Sequence, residues 1–443
     1  MYRFCAESDL QAFENFVKNN GGIYLQSVKW ADVKKDWSHR FYSGFDGDNT
    51  RVLSALILER TLPAVGKIWY CPAGAVCDYD NAALISDFSK FMLSEMKKGG
   101  AAALFFDPAV ELRINGEKQD RGVKVHNSLL RAGFMLNEDA SKCLYKAPVQ
   151  LMLPLKNAEG EIVSPEKLLK SFEKGVRYSV RIGENRGLTE KIFTEEDVKN
   201  DPEILSAFAA VMRDTSDRND FTERDSGYIE HLLTVFGADE MDIMLIYYDK
   251  NKDKALEESR IKKKAELLSR LENAPEKKIR GIKEEIESID KQTEHFNERI
   301  KETENEGDVI AVAGGLTVHY NGMSSCLFGG ARNILRNNLR ASHYFNFRRI
   351  CRSIELKNYC HDLGYVLLKP TSADTDGTLG ECVPREDFEG INAFKKSFGA
   401  NYTEYIGEYI LVADKIRFFA YNKLFGYAKK AQHVVNKIVK KTR

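Results

Sequence analysis

The chain has 443 residues, and its 66 Lys and Arg balance 66 Asp and Glu. Zero formal net charge provides no overall field that attracts a polyanion, and a 43% hydrophobic fraction suffices for the cores of two or three domains. No apolar run approaches 18 residues, no signal-peptide pattern is present, and the eight cysteines and eight histidines are dispersed, so we expect a cytoplasmic protein with reduced thiols and no metal ion or other cofactor.

Strand-like and helix-like segments alternate along the chain, which predicts an α+β fold of α/β layers. The predicted strands are 51–59, 102–106, 150–154, 241–248, 309–320, 324–328, 365–369 and 402–413. The predicted helices are 8–19, 82–98, 125–132, 165–184, 202–214, 225–236 and 341–363. The order of elements in 1–150 repeats after 165, so we predict two similar domains. The first covers 1–150 and is completed by 395–443, and the second covers 151–249 and 307–394.

Residues 250–306 separate the two parts of the second domain and carry fifteen Lys and Arg and fifteen Asp and Glu in 57 residues. After Pro275, apolar residues keep to one seam of a helix: Ile279, Ile282, Ile286, Ile289, Phe296 and Ile300. Before it, a looser stripe consists of Ile261, Ala265, Leu268 and Leu271. This pattern predicts an antiparallel coiled-coil arm. The alternative is a charged, partly disordered linker, but a linker does not maintain a seam.

Asp107 is a candidate for chemistry because Asp107-Pro108 follows the apolar run 101–106. A carboxylate at the exit of a strand lies where α/β proteins usually form their sites. The alternative interpretation is a turn or helix-cap aspartate before proline.

Two further pairs are candidates for binding. Arg224 and Tyr228 are four residues apart in a predicted helix, so both side chains are able to reach one anionic, ring-bearing ligand. A solvated helix start is the alternative. Phe394 and Lys395 lie between a helix-like start and a strand-like run, where the ordinary interpretation of Lys395 is a surface lysine.

A series of motifs follows a fixed order over nearly the whole chain: Tyr24–Trp30 with Lys34, Gly74–Tyr79, Phe105–Pro108, Met212–Ser216 with Phe221 and Arg224, the arm, Gly329–Arg332, Phe394–Gly399, and Glu404–Glu408. This order resembles the FemA/FemX/MurM family of aminoacyl-tRNA-dependent transferases, which build the interpeptide bridges of peptidoglycan. The resemblance implies two domains similar to the N-acetyltransferase (GNAT) fold, with an arm similar to that of seryl-tRNA synthetase.

The resemblance also implies the reaction. An amine on the stem peptide of lipid II or UDP-MurNAc-pentapeptide attacks the ester that joins an amino acid to tRNA, and an amide forms. The pyrophosphate loop of acetyl-CoA-dependent acetyltransferases is absent from the sequence, which agrees with a charged tRNA as acyl donor.

The family's residue roles transfer to matching positions here. Lys34, Arg224 and Tyr228 match positions that bind the precursor's diphosphate and sugar, and Asp107 matches a carboxylate near the stem peptide.

The second group of roles concerns the donor. Phe394 matches a residue near the terminal adenosine of tRNA, and Lys395 matches a cation for the oxyanion. The chain departs from the family at Ala73–Ala75, where an Arg-Gly-Pro is usual, and at Cys326–Leu327, where two tyrosines are usual.

The final segment, Lys415–Arg443, has nine basic residues and no acidic ones, interleaved with apolar side chains. Such a helix suits an anionic membrane surface or a tRNA backbone, and docking on the protein body is the alternative. Two other functions stay open: an acyltransferase acting on a protein, lipid or antibiotic amine, and a non-enzymatic tRNA-binding protein. The sequence leaves open the transferred amino acid, the bridge position, the acceptor residue, the form of the precursor and the oligomeric state.

Overall fold

A computed structural model describes residues 2–62, 66–143, 146–219 and 223–423. The strands are β1 Arg3–Ala6, β2 Ser38–Phe45, β3 Arg51–Leu62, β4 Gly66–Cys71, β5 Val76–Cys77, β6 Ala101–Phe106, β7 Glu111–Ile114, β8 Glu117–Lys118, β9 Met135–Leu136, β10 Val149–Pro154, β11 Leu188–Phe193, β12 Met241–Asp249, β13 Val309–Tyr320, β14 Met323–Ala331, β15 Cys360–Tyr365, β16 Asn401–Tyr405 and β17 Tyr409–Val412. The α-helices are α1 Leu10–Asn19, α2 Val28–Val33, α3 Ala82–Gly99, α4 Asp120–Arg131, α5 Pro165–Ser171, α6 Lys174–Glu184, α7 Glu195–Asn200, α8 Glu203–Asn219, α9 Ser226–Phe236, α10 Lys250–Glu272, α11 Glu276–Glu302, α12 Arg336–Leu339, α13 Ala341–Glu355 and α14 Glu389–Lys396. Short 3-10 helices cover Tyr24–Gln26, Ala140–Lys142 and Glu386–Phe388. The predicted α+β class is confirmed.

The described residues form two compact units. Unit 1 contains those of Met1–Met152, Leu363–Lys396 and Ala400–Arg443, and unit 2 contains those of Leu153–Asp362 and Ser397–Gly399. Residues 363–394, which were predicted to belong to the second domain, therefore lie in unit 1.

The main sheet of unit 1 has the strand order β1-β2-β3-β4-β6-β17-β9, with β5 beside β3. All six residues of β6 are buried because this strand lies inside the sheet, parallel to β4 and antiparallel to β17. Burial on both faces explains why β6 reads as a continuous apolar run rather than an alternating one. A second ladder in unit 1 pairs β16 with β10 and with β7. The carboxyl end of β6 presents Asp107.

The sheet of unit 2 has the order β11-β12-β13-β14-β15 and is antiparallel except for the β14–β15 pair. Helix α6 packs closely on α13, since a Cβ at Gly183 would meet the Tyr344 ring at 2.8 Å. Glycine at this position therefore allows the close approach.

The predicted arm is a helical hairpin in unit 2, in which α10 and α11 run antiparallel between β12 and β13. Leu267, Ile282 and Ile289 form its buried apolar cluster, and Ile286 packs against them. The seam predicted for the second helix agrees with this packing.

The stripe predicted for the first helix of the hairpin is right at Leu271, which packs against the cluster, and wrong at Ile261, Ala265 and Leu268. Ile261 and Leu268 are 56% and 45% exposed, whereas Leu267 is buried. The inward-facing positions nearer the body are polar, namely Asp253, Glu257 and Arg260, and a search for apolar residues misses them.

The predicted helix 341–363 is too long. Helix α13 ends at Glu355, and Lys357 adopts a φ of 57°, a left-handed conformation that stops a helix. The chain then enters β15, whose Cys360 pairs with Met323 of β14. The strand predicted at 365–369 is consequently misplaced, because Tyr365 is the last residue of β15.

Two other elements, each predicted as continuous, are split in two in the structure. The helix predicted at 165–184 breaks at Phe172, where Nη1 of Arg177 donates hydrogen bonds to the carbonyl oxygens of Lys170 (3.2 Å) and Phe172 (2.5 Å). The strand predicted at 402–413 becomes β16 and β17, separated by Gly407 with a φ of 97°.

At the C-terminus, residues 415–423 are helical, and the rest of the predicted basic helix, 424–443, lies outside the described residues. Within the described ranges, no helix combines the length and the apolar character that crossing a bilayer requires.

Candidate functional site

Asp107 is buried at the end of β6, with 4% of its surface exposed. The Tyr70 hydroxyl donates a 2.9 Å hydrogen bond to Oδ2, and the backbone N–H of Ala73 donates one of 2.7 Å to Oδ1. These donors come from positions 37 and 34 residues away in the sequence. The carboxyl is therefore held by tertiary contacts, which a local turn or helix-cap aspartate would not need.

The surroundings of Asp107 set its charge. The register pairs Phe106 with Tyr409, which places Glu408 opposite Asp107 at the next position. Burial raises the pKa of Asp107 to about 7, the Lys146 ammonium opposes this rise, and the Glu408 carboxylate adds to it. A carboxyl with its pKa raised toward neutrality is able to exchange a proton at neutral pH.

A cavity of about 860 Å³ lies in unit 1. Its walls are Ala140, Ser141, Cys143, Ala147, Pro148, the segment 365–370 and the segment 385–387. Cys143 connects this wall to the buried carboxylates, because burial and the charges of Glu408 and Asp107 raise the pKa of its thiol. Asp107 itself is not among the lining residues.

Lys395 contacts a residue that lines the same cavity. Its Nζ donates a 3.1 Å hydrogen bond to the backbone oxygen of Tyr365, a lining residue, and is 5.7 Å from the centroid of the Tyr365 ring. Phe394 and Lys395 are half-buried near the end of α14, whereas Lys396 is exposed. Lys395 thus contacts the lining residue Tyr365, and the Asp107 carboxyl interacts electrostatically with the lining residue Cys143.

Arg224 and Tyr228 meet in unit 2, although not for the reason that the sequence suggests. Arg224 precedes α9, whose N-cap is Asp225, so the two residues do not share a helical face. The Arg224 guanidinium instead lies 5.2 Å from the centroid of the Tyr228 ring. Arg224 is exposed and Tyr228 half-buried, which leaves the charged group accessible. Phe221, part of the neighbouring motif, lies outside the described residues.

Lys34 is the C-cap residue of α2 in unit 1, and its ammonium lies 4.4 Å from the centroid of the Trp30 ring. It is half-buried and is not among the residues that line the 860 Å³ cavity. The structure therefore links Lys395 and Asp107 to one cavity through its lining residues Tyr365 and Cys143, and it pairs Arg224 with Tyr228. Lys34 is not linked to this cavity by a described contact.

Sequence reasoning missed the residues around Asp107. Glu408 belongs to a motif noted in the sequence, and its position opposite Asp107 follows only from the strand register. Tyr70 and Lys146 belong to no sequence pattern that separates them from ordinary core and surface residues. Across the described ranges, no cluster of three His, Cys, Asp or Glu side chains has the arrangement of a metal site.

The FemAB family model matches residues 9–425. The chain belongs to the FemAB family. Lipid II:glycine glycyltransferase of Staphylococcus epidermidis is 24% identical to it, covering 91% of this chain and 92% of that protein. The protein of the same name from Staphylococcus aureus is 25% identical over the same shares. The crystal structure of FemX matches at 23% identity with a TM-score of 0.70, covering 93% of this chain and 97% of FemX, which shows the FemX fold. The expected family is thus confirmed.

Proposed function

We propose that the protein is an aminoacyltransferase that moves an amino acid from charged tRNA to the stem-peptide amine of a peptidoglycan precursor. The observation that carries this proposal is the cavity of unit 1, where Lys395 contacts the lining residue Tyr365 and the Asp107 carboxyl interacts with the lining residue Cys143. The FemAB relatives named lipid II:glycine glycyltransferase support a precursor of the same class.

Contacts with the donor, the aminoacyl ester of tRNA, are assigned to residues of α14. Attack on the aminoacyl ester gives a tetrahedral intermediate whose oxygen carries a negative charge, and the Lys395 ammonium stabilises that charge. The Phe394 ring offers a stacking surface for the terminal adenine of the tRNA. The ester is already activated, so the protein mainly positions the two reactants.

Activation of the acceptor, the stem-peptide amine, is assigned to Asp107. The new C–N bond forms as the amine attacks the ester carbon, and the amine loses a proton to Asp107. The C–O bond to the tRNA ribose then breaks, and the departing ribose oxygen takes up a proton. A carboxyl whose pKa is raised to about 7 serves this exchange, because it binds and releases a proton at neutral pH.

The precursor's anionic groups are assigned to the accessible cations. Arg224 has a forked guanidinium that suits phosphate oxygens, and a cation–π contact with the Tyr228 ring orients that guanidinium. Lys34 supplies a point charge for the diphosphate.

The helical residues 415–423 support a peripheral position at the cytoplasmic membrane face. Ile416 and Phe419 are 83% and 60% exposed, and Lys415, Arg417 and Lys423 accompany them. Exposed apolar and basic side chains on one short helix suit an anionic lipid surface, where a lipid-linked precursor resides.

Identification of the acceptor tests the proposal. Purified protein is incubated with mixed charged tRNAs, lipid II, UDP-MurNAc-pentapeptide and anionic vesicles, and the products are examined by mass spectrometry. We expect one amino acid to be added to the stem peptide of a precursor. Addition only to a protein or lipid amine would contradict the cell-wall assignment, and tRNA binding without any transfer would contradict the enzymatic one.

A further inference from the structure

Lys146 is fixed beside the turn between β16 and β17. Its Nζ atom is buried and lies 3.9 Å from the centroid of the Tyr405 ring. The backbone N–H of Tyr405 donates a 2.7 Å hydrogen bond to the oxygen of Pro148, two residues after Lys146. On the other side of Lys146, the Cys143 thiol makes a hydrogen bond with the backbone of Glu408. Cys143 and Pro148 thus both contact the backbone of 405–408, and the Lys146 ammonium group lies on the Tyr405 ring beside them.

Asp107 faces the same turn. Its position after Phe106, which pairs with Tyr409, brings it opposite Glu408, so two buried carboxyl groups share one site. Two carboxylates in a buried site cannot both ionise at little cost, and burial alone favours their neutral forms. A buried cation beside them offsets that cost for one negative charge.

We propose that Lys146 is a positioning residue for Asp107, and that its ammonium group keeps the Asp107 carboxyl available to accept the proton of the incoming amine. This inference rests on the proposed function for the role of Asp107. Lys146 touches neither the ester nor the amine in this scheme and acts only through Asp107.

The other groups that face Asp107 define what Lys146 contributes. The Tyr70 hydroxyl and the Ala73 N–H also favour the ionised carboxyl, whereas Glu408 opposes it. Asp107 in turn raises the pKa values of the Cys71 thiol and the Tyr79 hydroxyl, for which burial is the larger cause. Among these groups, Lys146 is the cation, so its removal changes the charge at the site.

The pH dependence of transfer tests the inference. Lys146→Met removes the charge and keeps the length of the side chain, Lys146→Arg keeps the charge, and Lys142→Met is the control. Lys142 is four residues before Lys146 in the sequence, but its side chain is 74% exposed and pairs with Asp139. In Lys146→Met, we expect the midpoint of the acidic limb of kcat/KM to rise by about one pH unit or more, as for a carboxylate that loses a nearby cation. We expect activity to recover at higher pH, and Lys146→Arg and Lys142→Met to retain the wild-type midpoint.

A second readout needs no turnover. The infrared band of protonated carboxyl groups is followed as a function of pH in wild type and Lys146→Met. The same titration of Asp107→Asn shows which part of the band belongs to Asp107. If Lys146→Met is unstable, Lys146→Gln replaces it. A higher midpoint for the Asp107 titration in Lys146→Met than in wild type supports the inference. This holds even if no transfer activity is found and the proposed function fails. An unchanged Asp107 midpoint, or a loss of activity equal at every pH, overturns it.

Discussion

Arg299 holds Asp253 with two hydrogen bonds inside the base of the helical hairpin, from Nε to Oδ2 at 2.8 Å and from Nη2 to Oδ1 at 3.0 Å. Both side chains are fully buried, and the Tyr248 hydroxyl donates a further 2.8 Å hydrogen bond to Oδ2 of Asp253. Asp253 is on α10, Arg299 is on α11, and Tyr248 is on β12, so one carboxylate ties both helices to the sheet. The hairpin is apolar around Leu267 and ionic at its base.

We expect Arg299→Met to lower the free energy of unfolding by about 3–5 kcal/mol, because it removes the cation that donates two hydrogen bonds to the buried Asp253 carboxylate. The control is Arg280→Met on the same helix, where the side chain is 90% exposed and pairs with Glu284. That change is expected to cost at most about 0.5 kcal/mol. Urea unfolding measures the stability of both variants. Equal effects would show that the Asp253–Arg299 ion pair does not stabilise the hairpin.

We expect Asp107→Asn to change how stability depends on pH. Between the ordinary carboxyl pKa of 3.8 and the folded value of about 7, the unfolded chain has released the Asp107 proton while the folded protein still binds it. The Asp107 contribution to stability is therefore lost as pH rises through this window, with a slope of at most about 1.4 kcal/mol per pH unit, and is constant above it.

The measurement is urea unfolding of wild type and Asp107→Asn at intervals from pH 4 to pH 8. The stability of the variant relative to wild type should increase up to about pH 7 and then level off. Parallel curves across the range would show that the folded protein does not raise the pKa of Asp107.

Lys395→Met should lower turnover by about 10²–10³-fold, the range for loss of one group that stabilises an oxyanion. Lys396→Met is the control, since Lys396 is the next residue, has the same charge and is exposed. Its turnover should stay within a few-fold of wild type, and both variants should melt near the wild-type temperature. If the two variants have equal turnover, Lys395 is an ordinary surface lysine.

Arg224→Ala should raise the KM for the precursor by the equivalent of about 1.5–3 kcal/mol, as for a lost charged hydrogen bond, with the affinity for charged tRNA unchanged. Arg213→Ala, which removes another exposed arginine nearby in the sequence, should leave both constants near wild type. A lower melting temperature with an unchanged KM would indicate that Arg224 and its contact with the Tyr228 ring are structural.

The bounds of helices and strands were predicted well from the sequence where an apolar pattern ended clearly. The strand predicted at 309–320 coincides with β13, and the helix predicted at 82–98 is within one residue of α3. Prediction failed where a tertiary contact or a single backbone conformation sets the boundary. Lys357 in a left-handed conformation turns what looked like one long helix into α13 and β15, and the contacts of Arg177 separate α5 from α6.

The same limit applies to the site. Asp107 was recognisable because it follows a fully buried strand, and Lys395 because it belongs to a motif. The partners of Asp107 were not, because Tyr70, Lys146 and Glu408 reach it from separate parts of the chain, through strand pairing and loop packing. At the base of the hairpin, Asp253 and Arg299 occupy inward-facing positions where a periodicity argument expects apolar residues.

The identity of the acyl donor decides whether the protein transfers an amino acid from charged tRNA to a peptidoglycan precursor, as proposed. Wild-type protein is given lipid II with either charged tRNA or acetyl-CoA, each supplied with a radioactive acyl group, and label in the precursor is counted. We expect label from charged tRNA and none from acetyl-CoA, with Lys395→Met reducing the first by about 10²–10³-fold. Label from acetyl-CoA and none from charged tRNA would contradict the proposal.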